Sequence, residues 1–269
     1  MKTSIAHIAG ASGYPMNGSI CGLYPLERLI LVLYNSGFRT FYIDFNTTEE
    51  IFFNSKIRKR VSSLENIEIR INATVPGKED VLDIPANLFF REKTIDTESE
   101  NFTRKKSVIS PVLNNNQFLI KTPEDIKKAE NALQSWIIDN TQGWVAKKIN
   151  KRISLPMSRV LSKTGIHPNY LTVLNLFFAI ISTFLLLNNE YWSIAAGGLL
   201  LQFVSIFDGV DGEVAKFTFK SSTFGGWLDT MCDYSGTLMF LSACIYLYYR
   251  SFSGFLAWIF PIMFIIGVV

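Results

Sequence analysis

Hydrophobic and polar positions change their rhythm partway along the chain. Residues 3 to 9, SIAHIAG, form a short apolar run that reads as a buried strand and passes into a small-residue loop, GASGYP. Pro25 to Ser36, PLERLILVLYNS, places apolar residues at helical spacing and stops at Gly37, after which FRTFYIDF reads as a second strand. Strand, loop, helix, strand in that order is an α/β unit. Residues 47 to 121 alternate short apolar runs with polar turns. TPEDIKKAENALQSWI, residues 122 to 137, opens with a capping signature and continues as an amphipathic helix. Beyond Lys163 charge nearly vanishes, and apolar residues gather in four segments, roughly 171 to 187, 191 to 207, 224 to 249 and 254 to 269. The pattern predicts an α/β domain over residues 1–138. Over 139–269 it predicts a juxtamembrane helix followed by an all-α polytopic transmembrane bundle.

Composition agrees with a chain that is soluble in front and membranous behind. Its 269 residues allow two modest domains, and 48% hydrophobic with 14% aromatic residues is high for a wholly soluble protein. Between 141 and 163, Lys147, Lys148, Lys151, Arg152, Arg159 and Lys163 are interleaved with Trp144, Ile149, Ile153, Val160 and other apolar residues, which suits a helix lying among lipid headgroups. With Lys216 and Lys220 between the second and third segments, the positive-inside rule places the front domain and this loop in the cytoplasm, within the cell membrane. Tyr191, Trp192, Tyr246, Tyr248 and Tyr249 then fall near the outer interface. The net charge of +3 comes without a long basic, aromatic-interleaved run, so nucleic acid is not an expected partner. Cys21, Cys232 and Cys244 form no CxxC pair and read as scattered buried thiols. The N-terminus lacks the apolar core of a cleaved signal peptide.

The chemistry concentrates in FDGVDGEVAKFTFKSSTFGGWLDTMCDYSG, residues 207 to 236. Aspartates at membrane depth are costly and face a cavity or a partner. If the second segment continues as helix to about Lys216, then Asp208, Asp211, Gly212 and Ala215 share one face; if the third starts near Phe224, so do Gly225, Asp229 and Asp233. Two acidic stripes can therefore oppose each other, with small residues leaving room for a ligand. Four carboxylates in a low-dielectric groove call for divalent metal, and an all-oxygen donor set suits Mg, Mn or Ca.

Asp208-x2-Asp211-Gly212-x2-Ala215-Lys216-x8-Gly225-x3-Asp229-x3-Asp233 resembles the signature of the CDP-alcohol phosphatidyltransferase family, every fixed position matching except Lys216, where the family has Arg. The resemblance implies transfer of a phosphoalcohol from a CDP-alcohol donor to a hydroxyl of a lipid or polyol-phosphate acceptor, with release of CMP and two Mg or Mn ions at the site. It implies that Asp208, Asp211 and Asp229 coordinate metal, that Asp233 touches the cluster and acts as base, and that Gly212, Ala215, Lys216 and Gly225 lie at the CDP pocket. HPNYLT, residues 167 to 172, resembles the entry to the family's first span and makes Asn169 and Thr172 candidates for the nucleotide side. The family has a six-span bundle, so four segments ending in IIGVV read as a C-terminal truncation. Membrane lipids surround such a bundle, and a homodimer is allowed.

In the front domain, GASGYP, PLERLILVLYNSGF and TPEDIKKAE together resemble a shortened cytidylyltransferase-like, or sugar-nucleotidyltransferase, domain. Between Gly10 and Leu26 there is neither Lys nor Arg to neutralise a triphosphate, and Lys121 stands where that family often places a metal-binding Asp. The expected fold class is thus an α/β nucleotidyltransferase-like domain, degenerate and used for docking, joined to the membrane bundle. The two halves together resemble the archaeal-type fusions of inositol-phosphate cytidylyltransferase with di-inositol-phosphate phosphate synthase. An intramembrane prenyltransferase also uses Asp-rich motifs with Mg-diphosphate, but keeps its two motifs far apart. A cation transporter lined by Asp would need no CDP.

Overall fold

The computed structural model describes residues 5–10, 15–75, 81–92, 102–105, 108–111, 117–144, 146–188 and 190–251. The chain divides into two compact units, Met1–Asn140 and Thr141–Val269.

The first unit contains strands β1 (Ile5–Ala9), β2 (Thr40–Ile43), β3 (Glu68–Ile71), β4 (Val81–Pro85), β5 (Leu88–Phe90), β6 (Phe102–Lys105), β7 (Val108–Pro111) and β8 (Gln117–Leu119). Six of them form one sheet in the order β3-β2-β1-β4-β7-β6, parallel except for β6 at its edge, and β5 pairs with β8. Central strands of a parallel sheet are covered on both faces, and Ile5, Ala6 and Ile8 of β1 with Phe41 and Ile43 of β2 are buried accordingly. Helix α1 (Pro25–Asn35) starts with Pro25 and turns Leu26, Leu29, Ile30 and Leu33 into the core, where each buried side chain contributes about 1.5–3 kcal/mol. It ends because Gly37 takes φ +100°, which lets Phe38 N–H reach the Leu33 carbonyl at 3.1 Å.

The stretch read as apolar runs and turns contains helix at 47–61: α2 (Thr47–Phe52), one π turn (Phe53–Ile57) and α3 (Arg58–Val61). A reciprocal cap starts it, Glu49 N–H donating to Asn46 Oδ1 at 2.9 Å and Asn46 N–H to Glu49 Oε2 at 3.0 Å. Helix α4 (Pro123–Asp139) has the same device at Thr122 and Asp125.

The second unit is helical: a π turn (Ala146–Asn150), then α5 (Lys151–Lys163), α6 (Pro168–Leu187), α7 (Tyr191–Thr218) and α8 (Thr223–Ser251). Helix α6 packs on both α7 and α8, and α5 packs on α7. Of the four expected spans, the described residues support two. Among the described residues only α6 and α7 are both long and apolar enough to cross a membrane. Helix α8 has the length, but Asp229, Asp233 and neighbouring polar residues dilute its apolar character. The expected segment at 254–269 lies outside the described residues. Helices α6 and α7 come together over small residues: Ser182 Oγ donates to the Gly197 carbonyl at 2.8 Å, and a Cβ on Gly197 would stand 3.1 Å from the Ser182 carbonyl oxygen. Phe184, Leu199 and Leu238 point outward and exposed, as side chains facing lipid do, and Tyr191 and Trp192 are exposed at the start of α7.

Candidate active site

Helix α7 does not stop at 207. It runs through Asp208 and Asp211 to Thr218 and closes where Phe219 takes a left-handed φ of 54°. This continuity puts Asp208, Asp211 and Ala215 on one face, and α8, starting at Thr223, presents Gly225, Asp229 and Asp233 on another. One carboxylate oxygen from each of Asp208, Asp229 and Asp233 lies within 4.8 Å of the others. Asp211 is 7% exposed, and its carboxylate is held by the Thr172 hydroxyl and by Gly212 N–H at 2.5 Å. Its other carboxylate neighbour is Asp229, while Asp208 and Asp233 bring carboxylate oxygens within 4.8 Å of each other. The structure therefore brings all four predicted aspartates together, in two pairs across α7 and α8.

A cavity of about 190 Å³ opens beside Asp211 and Asp229. Every residue expected at the nucleotide pocket lines it: Asn169, Thr172, Gly212, Ala215, Lys216 and Gly225, joined by Lys220, Ser221 and Ser222. A Cβ on Gly212 would meet nothing within 4 Å, so this glycine keeps the cavity open rather than easing a helix contact. Gly225 is different, since a Cβ there would stand 3.1 Å from both Asn169 Oδ1 and Ser222 Oγ. A second cavity, about 370 Å³, lies on the other side of the cluster and is lined by Asp208, Asp233, Asn175 and apolar residues of α6, α7 and α8.

Asn175 was not anticipated. Its Nδ2 is 3.5 Å from Asp208 Oδ1, one turn along α6 from the Thr172 contact. The signal was present, because Asn169, Thr172 and Asn175 recur every third residue in an otherwise apolar span. Also unanticipated is buried Glu213, which is bound by Lys151, Ser154 and Ser158 of α5.

The donor set fits a divalent cation: clustered carboxylate oxygens, no thiol or imidazole among them, and an open cavity alongside. Apolar helices carrying paired acidic residues thus meet beside a cavity that Lys216 and Lys220 also line. Residues 165–269 match the CDP-alcohol phosphatidyltransferase family, and this stretch is a domain of that family of transferases. Members of the family are generally divalent-metal dependent and membrane-bound, in keeping with the carboxylate cluster and with two helices long and apolar enough to cross a membrane.

The chain is similar to the bifunctional IPC transferase and DIPP synthase of Aquifex aeolicus, 34% identical over 54% of this chain and 33% of that one. The protein of the same name from Archaeoglobus fulgidus is 33% identical over 48% of this chain and 26% of its own length. The archaetidylinositol phosphate synthase of Pyrococcus horikoshii is 31% identical over 32% of this chain and 46% of that protein. The matches thus span a third or less of the bifunctional relatives and under half of the last.

Proposed function

We propose that the protein transfers a phosphoalcohol from a CDP-alcohol to the hydroxyl of a lipid or polyol-phosphate acceptor, releasing CMP, at the α6–α7–α8 site. The observation that carries this reading is the meeting of the Asp208, Asp229 and Asp233 carboxylates within 4.8 Å, at the edge of a cavity lined by the rest of the signature. Asp208, Asp211, Asp229 and Asp233 would hold two Mg or Mn ions. Bound there, the ions supply Lewis acidity to the diphosphate and neutralise charge on the departing CMP.

The remaining roles belong to side chains. Lys216 and Lys220 line the first cavity and offer positive charge to phosphate oxygens. Asn169 supplies polar atoms on the same wall, and Gly212 leaves space for the nucleotide to lie against α7. Asp233, the exposed member of the carboxylate trio, also lines the second cavity and so can meet an acceptor arriving from that side. It takes the proton of the acceptor hydroxyl as that oxygen attacks the β-phosphorus. The bond from this phosphorus to the CMP oxygen then breaks, with no covalent enzyme intermediate. The active site and the first unit face the cytoplasm, as the basic residues flanking the spans indicate.

The first unit is a degenerate cytidylyltransferase-like domain that docks rather than catalyses. Its parallel β3-β2-β1-β4 core is of a nucleotide-binding kind, but the stretch from Gly10 to Leu26 has no basic side chain for a triphosphate. Calorimetric titration of the purified protein in lipid nanodiscs with CDP tests the site: binding should require Mg or Mn. Metal-independent CDP binding, or none, would count against the proposal.

A further inference from the structure

Glu213 lies two residues beyond Asp211, roughly 200° around α7 from it, and so faces away from the cavity. It is 1% exposed, and its carboxylate is fully engaged by α5. Lys151 Nζ and Ser154 Oγ each donate to Glu213 Oε1 at 2.7 Å, and Ser158 Oγ donates to Oε2 at 2.5 Å. Lys151, Ser154 and Ser158 are spaced at i, i+3 and i+7, one stripe of α5. Gly209 makes room for this contact, since a Cβ there would stand 3.3 Å from Lys151 Nζ. Around the polar contact, Val210 and Val214 of α7 pack against Met157 and Leu161 of α5.

An ordinary helix contact would be satisfied by the apolar residues alone. A buried carboxylate with three directional donors specifies one rotation and one axial position, whereas apolar side chains tolerate sliding. We propose that Glu213, with Lys151, is a positioning pair: it fixes the rotation of α7 against α5 and thereby aims Asp208 and Asp211 at Asp233 and Asp229. This rests on the transferase reading for its purpose, but not for its geometry. Neither residue touches the substrate.

The test uses the whole chain in nanodiscs, with Mn(II) as probe followed by electron paramagnetic resonance, and hydrogen exchange of 151–163 and 206–214 measured without metal. Glu213→Gln should weaken Mn(II) affinity about tenfold, in the range seen when residues behind metal ligands are changed, and should speed exchange in both segments. Glu213→Gln with Lys151→Met removes the orphaned ammonium and should regain thermal stability lost in the single variant without regaining Mn(II) affinity. This double variant carries the test if the single one does not fold. A lower melting temperature with wild-type Mn(II) affinity and wild-type exchange would overturn the proposal. So would full recovery of Mn(II) affinity in the double variant. Wild-type protein that binds Mn(II) but releases no CMP would sink the transferase reading and leave this one standing. Should wild-type bind no Mn(II), exchange alone decides, and unchanged exchange in Glu213→Gln overturns it.

Discussion

Thr172 of α6 donates its hydroxyl to the carboxylate of Asp211 on α7, inside a contact where the two residues are 5% and 7% exposed. One turn along, Asn175 reaches Asp208. Helix α6 thus carries a polar ladder that matches the i, i+3 spacing of the first two aspartates, and it holds them while α8 brings the other two.

Replacing Thr172 by Val keeps its shape and removes that donor. Loss of a hydrogen bond to a charged group costs roughly 1.5–3 kcal/mol, so metal-dependent CDP affinity should fall by about ten- to hundredfold. Thr172→Ser retains the hydroxyl and should stay close to wild type. Calorimetry on both variants is the check, and equal losses would mean that Thr172 acts through packing.

The aspartates should separate by role. Asp208→Asn, Asp211→Asn and Asp229→Asn should each weaken metal binding and, with it, CDP binding. Asp233→Asn should abolish CMP release, by a factor of about 100 or more, while keeping more CDP-alcohol affinity than Asp208→Asn does. Equal loss of affinity in Asp208→Asn and Asp233→Asn would make Asp233 a metal ligand first, and near-normal turnover in Asp233→Asn would remove it from the mechanism.

The first unit should make no CDP product. Given CTP, a polyol phosphate and Mg, the whole chain should form no more than a blank reaction does, because Gly10 to Leu26 has no cation for the triphosphate. Chromatographic detection of a CTP-dependent CDP-polyol would contradict this.

His7 gives the first unit a pH dependence. It lies on β1 with Nδ1 2.8 Å from Asp83 and Nε2 2.9 Å from Asp44. Burial by itself pulls the imidazolium down, but hydrogen bonds and charge from Asp44 and Asp83 outweigh burial and hold its pKa above 6.5. A raised folded-state pKa means that this stabilisation is complete below 6.5 and is lost as pH rises through the folded value. Thermal unfolding followed from about pH 5.5 to about pH 8.5 should show a midpoint that falls with pH in wild type and a flatter profile in His7→Gln. A steeper profile in His7→Gln would contradict the assignment.

The site was more legible than the fold around it. All four aspartates can be read from spacing alone because each pair lies within one helix, where three- and four-residue steps fix a shared face. Helix α1 and strand β1 were legible for the same local reason. Helix at 47–61 was hidden by its short segments, although Asn46 and Glu49 mark its start. Length alone favours α8 as a span, while its polar residues lower its apolar character, so the described residues support two of the four expected spans. The Lys151–Glu213 contact joins residues 62 positions apart, and no local period reports such a pairing.

CMP release is the most direct measure of the central claim. Purified protein in nanodiscs, supplied with Mg or Mn, a panel of CDP-alcohols and both lipid and polyol-phosphate acceptors, should release CMP only when donor, acceptor and metal are all present. Asp208→Asn should lower that release by about 100-fold or more. A folded protein that binds CDP with metal yet releases no CMP with any donor and acceptor pair, or an Asp208→Asn variant as active as wild type, would contradict the account.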